Sequence, residues 1–384
     1  SFLDQLVDAS LAKAKEEFQT LKTFAKDTMN IDDLQAWDLA YASEKLRQTQ
    51  YNISQEDLRP YFPEYKVLDG LFRVANALFN ISIKPVTDAD LWHPDAKCFA
   101  IYNAKNELIS YFYIDLYARE NKRGGAWMDD CRVRRRLNKD SHQTPVAFIV
   151  CNFNAPINDD PALFTHEDVL TLFHEFGHSL QHMLTKIDYA DVSGINGVPW
   201  DAVEVASQFM ENFVWEKDSL RLISEHYQTK QPLPDDLFNR MHKAKNFHSA
   251  MQMMRQLEFS LFDFHLHMKF NPEKENQVQA ILDKVREQVR VIPTPEYNRF
   301  QHSFSHIFAG GYAAGYYSYK WAEVMAHDAF SLFRENGIFD KVTSQKFQST
   351  FLEMGGAKEP LDLFIEFRGR EPEVKALLID SGIQ

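Results

Sequence analysis

The segment Thr171–Met183, which reads TLFHEFGHSLQHM, constrains the fold most strongly because its histidines recur at every fourth residue. Residues four apart lie on one side of an α-helix, and the apolar residues between these histidines predict that the helix is largely buried. The three histidines are His174, His178 and His182. Imidazoles on one side of a buried helix indicate a metal site or a polar core, and the spacing decides which of them can share an ion.

Residues His174 to His178 form the pattern HExxH, in which Glu175 follows the first histidine. The two histidines lie about 6 Å apart along the helix axis, so their imidazoles can converge on one metal ion, with Glu175 beside it to hold a water. The alternative is a pair of core histidines, which would leave a buried glutamate without a partner and would cost several kcal/mol. The pattern therefore predicts metal ligands at His174 and His178 and a catalytic role for Glu175.

The other histidines are less suited to the same ion. His182 is eight residues from His174, which is about 12 Å along the axis, whereas zinc–nitrogen bonds are about 2.1 Å long. No glycine breaks the helix between His178 and His182 to bring the third histidine back, so His182 is predicted to be structural. A second pair, His302 and His306, has the same spacing without a following glutamate, and it is a weaker candidate for a separate metal site.

A third ligand is expected from the segment PWDAVEVASQFMENFVWE, which is predicted to contain a helix at Trp200–Trp215. Glu204 has small apolar neighbours, among which a carboxylate needs a cation. On spacing alone Glu204 is favoured over Asp201 and Glu211, which stay open as alternatives. Two histidines and one glutamate leave the fourth position free for water, which is the arrangement of catalytic rather than structural zinc.

The sequence divides into three regions by its periodicity, with no linker between them. Residues 1–80 are predicted to be helical, residues 81–155 to form a small β-sheet, and residues 156–384 to be helical again and to contain the metal site. The runs CFAIYN, ELISYFYIDLYA and PVAFIVCNF predict three strands, and the charged stretch 119–140 predicts a loop. A further helix is predicted at Tyr312–Phe333. The chain is thus expected to be mainly α, with a small sheet near the metal-binding helix, and to form one catalytic unit.

The composition limits the partners and the compartment. A formal net charge of −13 argues against nucleic acid as the main partner, and no apolar run is long enough to span a membrane, so neither is expected as a partner. Cys98, Cys131 and Cys151 are scattered and form no CxxC pattern, which favours buried reduced thiols and a cytoplasmic location. Because the chain begins with Ser1, an organelle leader on a longer chain stays open.

Several separated motifs resemble the thimet oligopeptidase family of zinc peptidases, and in particular its bacterial oligopeptidase A and dipeptidyl carboxypeptidase branch. They are HEFGH, the glutamate-bearing segment VPWDAVEVASQFMENFVWE, the glycine–tyrosine segment HIFAGGYAAGYYSYKWAEV, and the segments FYIDLYARENKRGGAWMDD and PVAFIVCNFNAP. The likeness runs over nearly all 384 residues. It implies a multi-helix, zincin-type fold with one Zn²⁺ per chain, held by His174, His178 and Glu204, and it implies that Glu175 is the catalytic residue.

The same resemblance implies that His306, Tyr312 and Tyr319 contact the substrate and stabilise the transition state. From spacing alone, Tyr312, Tyr316 and Tyr319 would share one helical face and would be interpreted as a core stripe. One departure is Gln181, which stands where the family usually has a histidine, and activity is expected to survive it. Family members also carry an upstream helical region that forms one wall of a deep channel, so the resemblance implies that this chain is the catalytic half.

The expected function is zinc-dependent hydrolysis of internal bonds in short peptides, with no action on folded proteins. Two alternatives stay open. One is a dipeptidyl carboxypeptidase that releases dipeptides from the substrate's free carboxyl end. The other is an inactive half that binds peptides, or a partner chain, but lacks the upstream helices. Exposure of the apolar helix in FHSAMQMMRQLEFSLFDFHLHMKF would favour the incomplete half.

Overall fold

The computed structural model describes residues 1–384, which form two compact units. Unit 1 consists of Ser1–Ile53, Asn239–Val324 and Glu373–Gln384, and unit 2 consists of Ser54–Phe238 and Met325–Pro372. None of the helices is both long enough and apolar enough to cross a membrane.

Helices are the most frequent regular element in both units. The α-helices are α1 (Phe2–Met29), α2 (Leu39–Tyr51), α3 (Gln55–Leu58), α4 (Glu64–Phe79), α5 (His166–Met183), α6 (Val205–Glu211), α7 (Lys217–Ile223), α8 (Asp235–Ala244), α9 (Ser249–Lys269), α10 (Gln277–Val289), α11 (Ser305–Phe308), α12 (Ser318–Asn336), α13 (Lys341–Phe347), α14 (Pro360–Arg368) and α15 (Val374–Asp380). Short 3-10 helices occur at Arg59–Tyr61, Ala190–Val192, Asn212–Trp215 and Phe300–His302, and a π-helical turn occurs at Gln348–Leu352.

Unit 2 contains a five-stranded mixed sheet in the order β1-β2-β3-β7-β4. The strands are β1 (Ser82–Pro85), β2 (Lys97–Tyr102), β3 (Leu108–Tyr117), β4 (Trp127–Arg132), β5 (Arg135–Arg136), β6 (His142–Gln143) and β7 (Val146–Phe153), of which β5 and β6 form a separate ribbon. β3 and β7 are parallel, and the other neighbours in the sheet are antiparallel. β2, β3 and β7 match the three predicted strands, and the prediction of a mainly α chain with a small sheet is confirmed.

The prediction of a loop over residues 119–140 is wrong, because this stretch contains β4. Trp127 pairs with Val150, and Asp130 pairs with Ala147, so β4 forms an edge of the sheet against β7. None of its six side chains is buried, and three of them, Asp129, Asp130 and Arg132, are charged. An edge strand with this composition gives no alternating apolar signal, and the sequence pattern therefore missed it. The same exposure corrects the prediction of buried thiols at Cys131, which is exposed, whereas Cys98 and Cys151 are buried.

An aromatic cluster fixes α5 against the sheet. Phe176 of α5 contacts Phe112 of β3 with ring centroids 5.7 Å apart, and Phe112 stacks on Phe99 of β2 at 5.2 Å. Phe72 of α4 contacts Phe99 at 5.0 Å. Edge-to-face and stacked rings at these distances stabilise beyond their buried area. The apolar face of α5 is therefore committed to the sheet, which leaves its histidine side for other contacts.

Two predicted helix starts are wrong. The helix predicted at Trp200–Trp215 begins as α6 at Val205, after turns at residues 200–204. The helix predicted at Tyr312–Phe333 begins as α12 at Ser318, and residues 313–317 form turns. In the second case Ala314 has φ +55°, which is incompatible with a right-handed helix. Tyr312, Tyr316 and Tyr319 therefore do not share one helical face.

In unit 1, α9 packs against α1 in the main hydrophobic core. The α9 side chains in this core include Ala250, Met253, Met254 and Leu257. The exposure that was expected of an incomplete half is thus not seen for the body of this helix, although Met268 and Phe270 at its carboxyl end are 74% and 51% exposed. The amino end of α9 is capped from α1, because Glu17 accepts a hydrogen bond from the Met251 amide at 2.9 Å.

We expect the free energy of unfolding to depend on pH because of His248, at the N-cap position of α9. It is 9% exposed, and burial lowers its pKa to about 4. An unfolded histidine titrates near 6.5, so the unfolded state takes up this proton first, and the stability that His248 contributes above pH 6.5 is lost as the pH falls toward 4. We expect the free energy of unfolding to fall by about 2 kcal/mol between pH 8 and pH 5 through this group.

The test is urea unfolding of the wild type and of His248→Asn at pH 8 and pH 5. His248 has φ +57°, which asparagine tolerates, so the variant should fold and should lose about 2 kcal/mol less than the wild type over this range. Equal losses in the two proteins would contradict the assignment.

Candidate metal centre

The helix that carries the HExxH motif begins at a capping box formed by Thr165 and Asp168. The Thr165 side chain accepts a hydrogen bond from the Asp168 amide at 3.1 Å, and the Asp168 carboxylate accepts from the Thr165 amide at 2.9 Å. This reciprocal capping box satisfies two amides at the amino end of α5. It sets the start of the helix, and so the direction in which His174 and His178, about two and three turns later, point.

The structure brings His174, His178 and Glu204 together in unit 2. The Glu204 Oε2 atom lies 3.2 Å from the His174 Nε2 atom and 3.1 Å from the His178 Nε2 atom. One ligand atom from each of these residues lies within 4.8 Å of the others, so the group could hold a metal ion. Glu204 is 5% exposed and His178 is 8% exposed, so these donors face one another away from bulk water.

Glu204 reaches the histidines because α5 and α6 approach very closely at Gly177. A Cβ atom built on Gly177 would lie 2.5 Å from the Ala206 carbonyl oxygen and 2.6 Å from the Ser207 Cα atom. Glu204 is the residue immediately before α6, and its Oε2 atom also accepts a hydrogen bond from the Ser207 hydroxyl at 3.1 Å. Gly177 is therefore needed at this position, because only a residue without a side chain allows the backbones of α5 and α6 to approach this closely.

Gly177→Ala is expected to separate α5 from α6. We expect the affinity for zinc to fall by at least about tenfold and the free energy of unfolding to fall by about 1–3 kcal/mol, because the added methyl overlaps backbone atoms that cannot move aside alone. Chelator competition and urea unfolding measure the two effects. Gly124→Ala is the matched control, because a Cβ there meets nothing within 4 Å. Wild-type zinc affinity in Gly177→Ala would contradict this account.

Glu211 contacts the same histidine from the other side. Its Oε1 atom lies 2.6 Å from the His174 Nδ1 atom, so this carboxylate is hydrogen-bonded to one ring nitrogen while the other, Nε2, faces Glu204. A carboxylate that bonds the second ring nitrogen fixes the orientation of a metal-binding histidine. From the sequence pattern, Glu211 is a candidate only as an alternative ligand to Glu204. Its position seven residues after Glu204, two turns along, was the available signal for a role on the same side.

Glu204 and His174 each shift the pKa of the other. Burial by itself would raise the pKa of Glu204, but the imidazoles of His178 and His174 outweigh it and hold that pKa well below its usual range. Burial would likewise lower the pKa of His174, yet Glu204 and Glu211 hold it well above its usual range. The carboxylate of Glu204 thus stays ionised and positive charge is favoured beside it, which is the electrostatic environment that suits a bound cation.

Glu175 lies beside this group in a different environment. It is 6% exposed, and burial raises its pKa, against opposing effects of His174 and His178 and of a backbone hydrogen bond from Met128 in β4. Glu175 is therefore a stronger base than an exposed glutamate, and it belongs to the same unit as His174, His178 and Glu204.

His182 is outside the group, as its distance along α5 predicted. Its Nε2 atom donates a hydrogen bond to the Arg132 carbonyl oxygen at 2.8 Å, and burial lowers its pKa, which keeps the ring neutral. His182 therefore links α5 to the edge strand β4. This contact explains why a third histidine lies on the same side of the helix without being a ligand.

The remaining predicted site residues, His306, Tyr312 and Tyr319, belong to unit 1, whereas His174, His178 and Glu204 belong to unit 2. They lie near one another: the rings of Tyr312 and Tyr319 stack at 5.0 Å, and those of His306 and Tyr312 are 6.2 Å apart. His302 and His306 lie in separate short helices. Their spacing of four therefore does not place them on one helical face, and neither belongs to a group of three or more possible metal donors.

Comparison with known proteins shows the family to which the chain belongs. The family model described as Peptidase family M3 matches residues 1–383. Oligopeptidase A of Escherichia coli (strain K12) is 54% identical over 383 residues, which are 100% of this chain and 56% of that protein. Dipeptidyl carboxypeptidase of the same organism is 32% identical over 390 residues, again 100% of this chain and 56% of that protein. The chain thus spans about half the length of the curated relatives that it matches.

A solved structure shows the same fold at low sequence identity. The carboxypeptidase of Pyrococcus furiosus aligns with a TM-score of 0.50 and 12% identity, covering 100% of this chain and 73% of that one. The fold prediction and the predicted family resemblance are both confirmed. By its sequence over nearly its full length, this chain belongs to Peptidase family M3.

Proposed function

We propose that this chain is the metal-binding, catalytic part of a zinc-dependent oligopeptidase that hydrolyses internal bonds of short peptides. The observation that carries the proposal is the buried Glu175 carboxylate, with its raised pKa, beside three converging donors. A base next to an open metal position is one arrangement that can hydrolyse an unactivated amide. Family membership supports the same reaction.

His174, His178 and Glu204 would hold one zinc ion per chain. Two imidazole nitrogens and one carboxylate oxygen are the donors of a catalytic zinc site, in which one position stays open. When bound there, zinc would allow a water to ionise near pH 7 and would polarise the scissile carbonyl. Glu211 would keep the His174 ring in the required tautomer and orientation.

Glu175 would act as general base and then as general acid. Its carboxylate would take the proton from the attacking water and pass it to the nitrogen that leaves as an amine. The raised pKa brings this group closer to the operating pH, where a base both accepts and returns a proton efficiently. Burial also limits competing water around the carboxylate.

The edge strand β4 gives a place for an extended peptide. Only β7 pairs with it in the sheet, and an edge strand can bind a peptide through its free backbone groups. The hydrogen bond from His182 to the Arg132 carbonyl oxygen joins β4 to α5. The backbone of Met128, also in β4, forms a hydrogen bond with Glu175. A peptide paired with β4 would therefore pass close to the base.

The roles of His306, Tyr312 and Tyr319 are proposed on the family resemblance. Tyrosine hydroxyls donate hydrogen bonds while neutral at pH 7, and donors aimed at a developing oxyanion stabilise a tetrahedral transition state. The partners would be short peptides, together with an upstream helical region like that of the family members. The cysteines are free, which supports a reducing compartment such as the cytoplasm.

A dipeptidyl carboxypeptidase is the second candidate, because a relative of that name is 32% identical over the whole chain. The chemistry would be the same, but a pocket would bind the free carboxyl end of the substrate. A peptide with an amidated carboxyl end separates the two candidates, since an endopeptidase still cleaves it and a carboxypeptidase does not. An inactive, peptide-binding half is the third candidate, and a cleavage assay of the chain separates it from the other two.

The experiment that tests the proposal combines a zinc assay of the purified chain with cleavage of an internally quenched fluorescent peptide. We expect one zinc per chain and cleavage that a chelator abolishes and added zinc restores. Zinc at one per chain without cleavage would favour the inactive half. Cleavage that survives removal of all zinc would contradict the proposal.

A further inference from the structure

The loop of residues 309–317, here called the tyrosine loop, connects α11 to α12 in unit 1 and carries Tyr312. Two of its own hydrogen bonds shape it: the Tyr312 amide donates to the His306 carbonyl oxygen at 3.0 Å, and the Gly315 amide donates to the Tyr312 carbonyl oxygen at 2.9 Å. The amides of Ala314 and Tyr316 are not used in this way. Both are directed instead at one side chain of α9.

That side chain is Asp263, which is 1% exposed. Its Oδ1 atom accepts a hydrogen bond from the Ala314 amide at 2.9 Å, and its Oδ2 atom accepts one from the Tyr316 amide, also at 2.9 Å. Hydrogen bonds to an ionised acceptor are roughly twice as strong as neutral ones, and alternate backbone amides of this kind form a cradle for an anion. Each carboxylate oxygen thus fixes a different amide of the tyrosine loop.

His267, one turn further along α9, holds the carboxylate itself. Its Nδ1 atom lies 2.9 Å from the Asp263 Oδ1 atom and 2.9 Å from the Asp263 carbonyl oxygen. The Asp263 side chain is therefore fixed by the helix that carries it as well as by the tyrosine loop. A carboxylate held by this many donors has one orientation.

The tyrosine loop needs such an anchor because its backbone is strained. Ala314 has φ +55°, a left-handed conformation that residues with a Cβ atom adopt rarely. Ala314 is exposed, so no packing of its own side chain keeps it there. The hydrogen bond from its amide to Asp263 is the contact that opposes relaxation of this residue.

We propose that Asp263 is a positioning residue that holds the tyrosine loop, and with it Tyr312, in one conformation. The inference rests on the proposed function, in which Tyr312 donates to the substrate. A donor that is already ordered costs no reorganisation when the transition state forms. Loss of the anchor should therefore lower kcat more than it changes KM, because the tyrosine loop would have to order during each turnover.

Hydrogen–deuterium exchange of the full chain tests the anchor without any use of activity. In Asp263→Asn one amide of the tyrosine loop loses its acceptor whichever way the new side chain is turned. We expect peptides that cover residues 309–317 to exchange at least about tenfold faster. Wild-type exchange there in Asp263→Asn would overturn the proposal.

A second pair of variants avoids the buried core. Ala314→Val places a β-branched residue at φ +55°, which that side chain cannot adopt without strain, so we expect the same faster exchange at this exposed position. Ala313→Val is the matched control at the adjacent exposed residue, where φ is not positive, and it should exchange as the wild type does. Equal exchange in the two alanine variants would overturn the proposal even if Asp263→Asn fails to fold.

A double-mutant cycle connects the tyrosine loop to catalysis. We expect Asp263→Asn to lower kcat about tenfold with a smaller change in KM, and to have little further effect in a Tyr312→Phe background. Effects on kcat that multiply independently would show that Asp263 does not act through Tyr312. If the wild type cleaves no peptide, the proposed function fails, and the exchange measurements still decide whether Asp263 holds the tyrosine loop.

Discussion

Glu175→Gln is expected to retain zinc and to lose nearly all peptide cleavage. The amide is similar in size to the carboxylate, so His174, His178 and Glu204 keep their arrangement, but an amide cannot accept a proton from water at neutral pH. Removal of a general base costs about 10²–10⁴-fold in rate, and we expect kcat to fall within or beyond that range. The measurement is steady-state cleavage of a quenched fluorescent peptide beside zinc content per chain.

The control for this variant is Glu167→Gln. Glu167 is an exposed residue in the first turn of the same helix, so the change in net charge is equal while the site is untouched. We expect the control to cleave at close to the wild-type rate. Glu175→Gln with more than about a tenth of wild-type kcat, and normal zinc content, would remove the general-base assignment, because a true base gives a larger loss.

Glu204→Ala is expected to abolish stoichiometric zinc binding. It removes one of the three donors and leaves His174 and His178 as the only ligands, and two imidazoles alone bind zinc far more weakly than the three donors of a catalytic site. Activity should be lost with the metal. Zinc per chain after dialysis against a weak chelator, with parallel peptide cleavage, measures both effects.

Glu211→Ala separates a ligand from its supporting partner. Glu211 contacts the Nδ1 atom of His174, and Glu204 lies beside the Nε2 atom. A partner of the second ring nitrogen contributes about 10–100-fold to metal affinity, so Glu211→Ala should still bind zinc when the metal is in excess, unlike Glu204→Ala. The reverse order of the two affinities would make Glu211 the ligand and Glu204 the partner.

The helix α5 could be predicted almost completely because its signals are local. Thr165 and Asp168 form a capping box within four residues of sequence, the apolar period places Phe176 in the core, and the spacing of His174 and His178 follows from helix geometry alone. Local hydrogen bonding and burial determine such features, so the sequence pattern and the structure agree.

The partners of α5 depend on contacts between distant segments, which the pattern does not contain. Small neighbours favoured Glu204, but the close approach at Gly177 that brings it to the histidines is visible only in three dimensions. For the same reason the sequence pattern indicates Glu211 only as a possible ligand, whereas in the structure it is hydrogen-bonded to the Nδ1 atom of His174. β4 was missed because an edge strand with polar side chains carries no apolar period.

The tyrosine loop shows a third kind of difference. The spacing of Tyr312 and Tyr316 suggested a helix, but the Asp263 carboxylate, about fifty residues earlier in the chain, holds two backbone amides of this stretch out of helical geometry. A buried acceptor can thus override local propensity. Nothing in the spacing of the tyrosines indicates that acceptor, and the aspartate alone gives no sign of what it binds.

The central claim is that His174, His178 and Glu204 hold a single ion, and anomalous diffraction at the zinc edge from crystals grown with zinc tests it most directly. The account predicts one strong anomalous peak per chain, within bonding distance of both Nε2 atoms and of a Glu204 oxygen. A peak at the histidines with the Glu204 carboxylate turned away, or no peak between these residues, would contradict it.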